Sequence, residues 1–474
     1  MIDKRSFYIG GQWVESRDGR EHVVIDPSTE EGAVTIMLAG PQDVDAAVDA
    51  AKAALPAWAE TDPQERRALA GRILEQYGRR ERDFAEAISR EMGAPIDFAL
   101  AEQAPSFSWH LENFLTAFDR IEWLRPLGPR GSMIAMEPIG VVGLITPWNW
   151  PANQIALKVI PALLAGCTSV LKPSEQAPLS AVVVAEMLHD AGCPPGVFNL
   201  IQGDGAGAGT RLSTHPDVEM ISFTGSTRAG RAITVAAADT FKRVTLELGG
   251  KGANLVFADA DERAVERGVR HVMENTGQSC NAPARMLVER PVYEQAVEIA
   301  RGVAEATTVG PASEPGPHIG PVVNARQWEH VQGLIQKGIE EGARLVAGGP
   351  GRPEHLNRGF FVRPTVFADV VPGMSIEKIE IFGPVLSMLP FDTEEEALRI
   401  ANDTDYGLTN YIQTQDEARR HRLARRLKSG MVEMNGQSRG RGAPFGGTKA
   451  SGRAREGGAW GIEEFLEVKS ISGW

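Results

Sequence analysis

The chain holds three cysteines, Cys167, Cys193 and Cys280, and the last lies in a run suited to chemistry, ENTGQSCNAPAR. Its neighbours Gly277, Gln278, Ser279 and Asn281 are small or polar, which suits a loop better than a core. A thiol presented on a loop can act as a nucleophile, although a free cysteine is as readily a buried packing residue. Nucleophilic thiol chemistry also needs a base, an oxyanion site and any cofactor the reaction uses. Glu247 ends the apolar run VTLEL and meets Gly249, Gly250 and Lys251. A carboxylate there serves as a general base if its pKa is raised; a strand-end glutamate facing water is the plainer alternative. Asn149 lies in TPWNWP, directly after VVGLI. Its amide could donate to a developing oxyanion, or it could be a turn asparagine before Trp150 and Pro151.

Three glycine-bearing or charged segments could hold a dinucleotide. GSTRAG, residues 225–230, follows the run MISF and opens a helical pattern, which suits a pyrophosphate at a helix N-terminus with the Ser226 hydroxyl donating. GDGAGAG, residues 203–209, lacks the spacing of the dinucleotide fingerprint and a convincing acidic partner ~20 residues on; it reads as a loop near the cofactor's adenine end. KPSE, residues 172–175, follows TSVL, and a lysine–glutamate pair at a strand end can grip ribose hydroxyls.

These residues need a scaffold. The 474-residue length predicts two to three domains. The first part reads as mostly helical, with helices over residues 44–58 and 65–92. From residue 139 strands and helices alternate: VVGLI, TSVLK, VFNLI, MISF, VTLEL and ANLVF as strands, with helices over 154–166, 180–191 and 227–238. That alternation predicts a largely parallel sheet covered on both faces. A second α/β unit follows, with helices over 262–274 and 292–306, the strand RMLVE, and a loop over 310–322. Residues 464–472 read as a terminal strand in need of a partner edge.

Composition narrows the classes. The chain is 42% hydrophobic and 23% charged, with a formal net charge of −13. That excess of acid argues against nucleic-acid binding, which needs cations to neutralise phosphates. No leader-like or membrane-spanning apolar run is apparent, so no membrane partner is expected. Three sparse cysteines without ligand spacing predict neither a disulfide framework nor a metal site, and suit a reducing, cytoplasmic setting.

Taken together and in order, TPWNWP, KPSE, FTGST, ELGGK, GQSC, EIFGPV and PFGG resemble the aldehyde dehydrogenase superfamily over almost the whole chain. The resemblance implies an α/β fold with a discontinuous Rossmann-type cofactor domain over residues 1–120 and 138–247. It further implies a catalytic domain over 248–445 and a small β oligomerisation element from 121–137 and 446–474. It implies that Cys280 is the nucleophile, that Glu247 activates the hydrolytic water, and that Asn149 with the Cys280 backbone N–H forms the oxyanion site. Lys158 matches a lysine near the nicotinamide. Lys172, Ser174 and Glu175 match the adenosine-ribose site, and Gly205 and Gly209 lie near the adenine end. Phe223, Gly225 and Ser226 match the pyrophosphate segment, while Glu380 and Phe382 match the nicotinamide-ribose and ring contacts. Ile145, Thr146, Trp148, Leu248 and Gly249 complete the implied cofactor set. The cofactor is expected to be NAD, because Glu175 would repel a 2′-phosphate; NADP is the alternative, since Lys172 could tolerate one.

The implied reaction is oxidation of an aldehyde to the free acid through a thioester on Cys280. Glu247 favours hydrolysis over transfer to CoA. A CoA-acylating or esterase-type thioester enzyme and a non-enzymatic protein on the same fold are the competing readings. Trp150, Gln154 and Asn281 fall where relatives shape the substrate funnel. Arg439 and Arg441 fall in the variable substrate loop, either as solvated arginines or as a clamp for a carboxylate-bearing semialdehyde. The nine tryptophans are also compatible with an aromatic substrate. The strands near 121–137 and 464–472 imply a homodimer or homotetramer.

Overall fold

The computed structural model describes residues 1–128 and 131–474. Its centre is a seven-stranded sheet in the order Arg243–Leu248, Met220–Gly225, Val141–Ile145, Thr168–Lys172, Phe198–Leu200, Phe7–Ile9 and Gln12–Val14. The first five strands are parallel and the last two antiparallel. Val141–Ile145 is buried along its whole length, as a parallel strand covered on both faces should be. Its side chains divide by alternation. Val141 and Ile145 pack with Val44, Ala47, Val48 and Ala51 of the helix Pro41–Ala59. Val142 and Leu144 pack on the opposite face with the helix Pro151–Ala165. That helix opens with Pro151 and stops at Gly166, whose φ of 92° ends it in the left-handed conformation.

Chain order makes Val141–Ile145 the switch point of this sheet. The next strand in sequence lies on one side of it and Met220–Gly225 on the other. Ligands of open α/β sheets bind outside the carboxyl ends of the strands at such a point. TPWNWP and GSTRAG both begin there.

A second seven-stranded sheet runs Arg344–Ala347, Thr365–Ala368, Val385–Phe391, Arg285–Glu289, Ala253–Val256, Thr409–Gln413 and Met431–Met434. All its neighbours are parallel except the first pair. ANLV therefore belongs to this sheet and does not extend the first. Two three-stranded sheets complete the fold. One joins Ile2–Asp3, Glu31–Leu38 and Arg20–Asp26; the other joins Leu466–Ser472, Ser132–Pro138 and Leu124–Leu127. Residues 129 and 130 lie outside the described residues.

The expectation of a mostly helical beginning needs correction. Five strands precede the first helix. They are two to eight residues long; three are no longer than three residues, and the two longer ones mix charged with apolar residues, so they carry too little alternation to stand out in sequence. GDGAGAG is also not a plain loop. Gly205–Gly209 winds into a π turn capped by Asp204, whose Oδ1 accepts the Gly207 N–H at 2.6 Å. Among the described residues, no helix is long and apolar enough to cross a membrane.

Candidate active site

The two large sheets face each other through opposite ends. The first offers the loops after its strands, at 146–150, 225–226 and 249–250. The second offers the loops before its strands, at 274–284, 380–383 and 406–408. Cys280 stands on one of these leading loops and keeps partial exposure. Burial first, and then the charges of Glu380 and Glu247, hold its thiol well above the ordinary value, while Arg439 pulls the other way. The resting thiol is therefore protonated and must lose its proton before it can attack.

Asn149 is buried, and its Nδ2 donates to the Gln278 carbonyl at 2.9 Å, on the loop that carries Cys280. Glu247 is 2% exposed, and among the described residues neither of its carboxylate oxygens receives a hydrogen bond. Burial raises its pKa far above the usual range; Glu456 adds to this, whereas Lys158 and Arg455 oppose it. Such a carboxylate is an avid proton acceptor once ionised. Lys158 donates to Glu456 Oε1 at 2.5 Å and to Ser222 Oγ at 3.2 Å. Glu456 arrives from the far end of the chain because Gly452 bridges to Glu247 across the strand end. Sequence offered no sign of it.

A family model described as the aldehyde dehydrogenase family matches residues 13–471. The chain belongs to the aldehyde dehydrogenase family. It is accordingly an oxidoreductase. A 3-succinoylsemialdehyde-pyridine dehydrogenase from a Pseudomonas species is 47% identical over 476 residues, covering 100% of this chain and 99% of the relative. The crystal structure of an aldehyde dehydrogenase from Bartonella henselae superposes with a TM-score of 0.99 at 57% identity, covering 100% of both chains. Aldehyde dehydrogenase C from Pseudomonas syringae, solved with NAD+ and octanal, gives 0.97 at 46% identity, over 99% of this chain and 96% of that one.

The residues expected at the cofactor lie at the carboxyl ends of the first sheet's strands, with Glu380 and Phe382 meeting them from a loop of the second sheet of this aldehyde dehydrogenase fold. Ile145 and Thr146 are buried at the switch point, where the Thr146 N–H donates to the Lys172 carbonyl at 3.2 Å. A Cβ on Gly225 would stand 2.5 Å from the Phe223 ring, so only glycine lets the backbone run this close over it. Ser226 caps the helix Thr227–Ala237 by accepting the Ala229 N–H at 3.3 Å, which leaves its own O–H to donate outward. Leu248 is buried beneath Gly230. Trp148 meets Phe382 edge-to-face at 5.5 Å. Glu380 accepts the Gly250 N–H at 2.8 Å, and a Cβ on Gly249 would lie 2.1 Å from its other oxygen. Burial lifts the Glu380 pKa to about 7 against that hydrogen bond and the Lys251 charge.

Lys172 ends the strand Thr168–Lys172. Its ammonium is buried and donates to the Pro173 and Gly203 carbonyls at 2.8 and 2.7 Å. Two of its three N–H donors are thus committed to backbone. Glu175 is partly exposed beside it, Ser174 accepts the Gln176 N–H at 3.2 Å, and Gly209 lies against the Lys172 stem. Gly205 has nothing within 4 Å of a notional Cβ.

A cavity of about 460 Å³ is lined by Trp109, His271, Glu274, Asn281, Glu433, Ser438 and Arg439. Asn281 and Arg439 thus stand where a substrate could lie. Arg439 is shared with Glu433 at 3.4 Å and sits 4.5 Å over the Phe445 ring. Arg441, Trp150 and Gln154 do not line this cavity. Arg441 is 70% exposed and 3.8 Å from Glu112, outside the cavity. Trp150 turns its indole N–H to Ser279 Oγ at 2.8 Å and braces the cysteine loop. Gln154 is buried in the helix Pro151–Ala165. Trp109, Glu274 and Glu433 were missed because they converge from segments with no local motif.

Proposed function

We propose that this chain oxidises an aldehyde to its carboxylic acid with NAD, through a thioester on Cys280 that Glu247-activated water hydrolyses. The observation that carries this reading is Glu247, buried at a strand end with both oxygens uncommitted beside the cysteine loop. The carboxyl ends of the first sheet's strands suit a dinucleotide on their own geometry: a bare glycine edge, a free hydroxyl at a helix start, and an acid at each ribose position, Glu175 and Glu380. The relative from Pseudomonas syringae was solved with NAD+. Glu175 favours NAD over NADP.

The Cys280 sulfur, once deprotonated, forms a bond to the aldehyde carbon, and the carbonyl π pair moves to oxygen. Asn149 and the Cys280 backbone N–H hold that oxyanion; donors of this kind contribute roughly 10²–10³ each in rate. When bound, NAD supplies the acceptor for the hydride that leaves the carbon, so the adduct on Cys280 becomes a thioester. Glu247 then takes a proton from water as its oxygen attacks the thioester carbon. The C–S bond breaks, the acid leaves and the cysteine sulfur is restored. Lys158 and Glu456 set the charge around Glu247.

The cavity favours an aromatic aldehyde. It offers the rings of Trp109 and His271, and its one guanidinium is already shared with Glu433 while Glu274 adds a second carboxylate. The relative named for a pyridine-bearing semialdehyde supports this. A carboxylate-bearing semialdehyde is the second reading, resting on Arg439 alone. NADH formation from pyridyl, phenyl, aliphatic and succinic semialdehydes, without CoA, tests both. Aromatic substrates should show the highest kcat/KM. A preference for succinic semialdehyde that Arg439→Ala removes and Arg441→Ala does not would reverse the choice. A strict requirement for CoA would sink the hydrolytic reading.

The sheet Leu466–Ser472, Ser132–Pro138 and Leu124–Leu127 leaves a strand edge free and exposes Leu124, Leu127, Val468 and Trp474. Such a surface suits burial against another subunit, and we assign it to a homo-oligomeric contact of a dimer or tetramer. The sheets also support cofactor and catalytic domains dividing near residue 247. Three free cysteines suit a cytoplasmic location.

A further inference from the structure

We infer that Gln103 is the positioning residue of the oxyanion site: it locks the Asn149 loop to the turn that carries Cys280. This rests on the reading of Asn149 as an oxyanion donor. Gln103 is fully buried at the end of a π-helical turn, Ala99–Gln103, closed by the Ala104 N–H donating to the Ala99 carbonyl at 2.9 Å. Single π turns inside helices are rare and frequent at functional sites. The turn delivers the Gln103 amide nitrogen to two loops remote in sequence. It donates to the Asn149 carbonyl at 3.0 Å and to Asn275 Oδ1 at 3.0 Å.

Asn275 completes the lock. Its Nδ2 donates to the Asn149 carbonyl at 2.9 Å and to the Gln278 carbonyl at 3.2 Å. Asn149 Nδ2 itself donates to the Gln278 carbonyl at 2.9 Å. The result is a closed set of amides in which every orientation is forced. Turning the Gln103 amide over would set its oxygen against the Asn149 and Asn275 oxygens. Turning Asn275 would set its oxygen against two carbonyls. One Asn149 N–H is thereby spent on Gln278, and the other remains for the oxyanion.

The lock also holds a strained segment. Asn275 and Thr276 have φ of 50° and 58°, with Gly277 following at 72°. Consecutive non-glycine residues in the left-handed region are costly and persist where surroundings over-determine them. Here Gln103, Asn149 and Gln278 hold Asn275, and the Gly320 carbonyl holds the Thr276 hydroxyl. The Gln103 side-chain oxygen, Oε1, meanwhile has no partner among the described residues, although it is buried. Folding alone gives no reason to keep such an orphan, whereas fixing the donor fork at its other end does.

The test is a double-mutant cycle with Asn149→Ala, reading the rate constant of the NADH burst per active site. Burst amplitude counts folded sites, so partial misfolding cannot pass for a slower rate. Gln103→Leu removes both donors at similar volume; Gln103→Asn retracts the amide and serves if the leucine variant does not fold. Each should slow the burst by roughly 10- to 100-fold, since a displacement of about 1 Å can cost ~10², with KM for NAD unchanged. In the Asn149→Ala background the same changes should alter the burst by no more than about twofold, the spread of non-interacting sites. A full additional loss in that background, or a wild-type burst rate in either single variant, would overturn the positioning role. Should Asn149→Ala alone leave the burst rate intact, the oxyanion reading fails instead.

Discussion

Glu247→Gln separates the two halves of the proposed reaction. The glutamine fits the same space, and no protein donor or acceptor is lost because neither carboxylate oxygen has one among the described residues. The nearby carboxylates are each anchored through one oxygen: Glu456 Oε1 by Lys158 at 2.5 Å and Glu380 Oε1 by the Gly250 N–H at 2.8 Å. Loss of the base should therefore cost the upper part of its usual range of roughly 10²–10⁴, or about 4–5 kcal/mol at 1.36 per tenfold. Acylation behaves differently. The Glu247 charge is one of the causes that raise the Cys280 pKa, so its removal makes the thiolate easier to form. Stopped-flow mixing with aldehyde and NAD should show one NADH per site formed no more slowly than in the wild type, followed by near-zero turnover. A burst lost together with turnover would show that Glu247 also takes the thiol proton. Wild-type turnover would refute the assignment outright. Stability gives an independent readout. Burial holds the folded Glu247 pKa above its unfolded value, so the stability this group contributes is complete below the unfolded value, about 4.3. It is lost as pH rises through the folded pKa. Glutamine has no such limb. The variant should match the wild-type Tm near pH 4 and exceed it increasingly at higher pH; a Tm difference independent of pH would contradict the buried-carboxylate account.

Two further perturbations address the neighbouring charges. Gly249→Ala places a Cβ against the Glu380 carboxylate and should break its hydrogen bond to Gly250, a charged contact worth about 1.5–3 kcal/mol. The expected result is a KM for NAD raised roughly 10- to 100-fold, read from initial rates at saturating aldehyde; an unchanged KM would remove Glu380 from the cofactor site. The Glu456 charge raises the Glu247 pKa and the Lys158 charge lowers it. Glu456→Gln should therefore move the acidic limb of kcat to lower pH, and Lys158→Met should move it to higher pH. Shifts in the same direction for both would show that the limb belongs to another group.

Much of the site was legible because its chemistry sits at strand ends. Ile145, Gly225 and Leu248 each close an apolar run, so the loops that follow are marked by the change from buried strand to polar or glycine-rich residues. The inner parallel strands were legible for the same reason: burial on both faces leaves largely apolar runs, whereas the edge strand Arg243–Leu248 is only partly buried. What lay hidden depends on contacts across long separations. Glu456 reaches Lys158 across 298 residues, and Gln103 reaches Asn275 across 172. A lone glutamate or glutamine carries no spacing that would announce either partner. Arg439 and Arg441 show the limit most closely. They are two residues apart and alike in sequence, yet one lines the cavity and the other faces solvent. Lys172 shows the opposite side: its charge suggested a ligand, and the fold gives two of its three N–H donors to backbone carbonyls. In each case the residue type set what chemistry was available, and the fold decided whether the group was free to perform it. Glu247 stands apart from Lys172 for that reason. Both are buried ionisable groups at the ends of parallel strands, but among the described residues only the glutamate is left without partners, and it is this unspent capacity that points to the reacting centre.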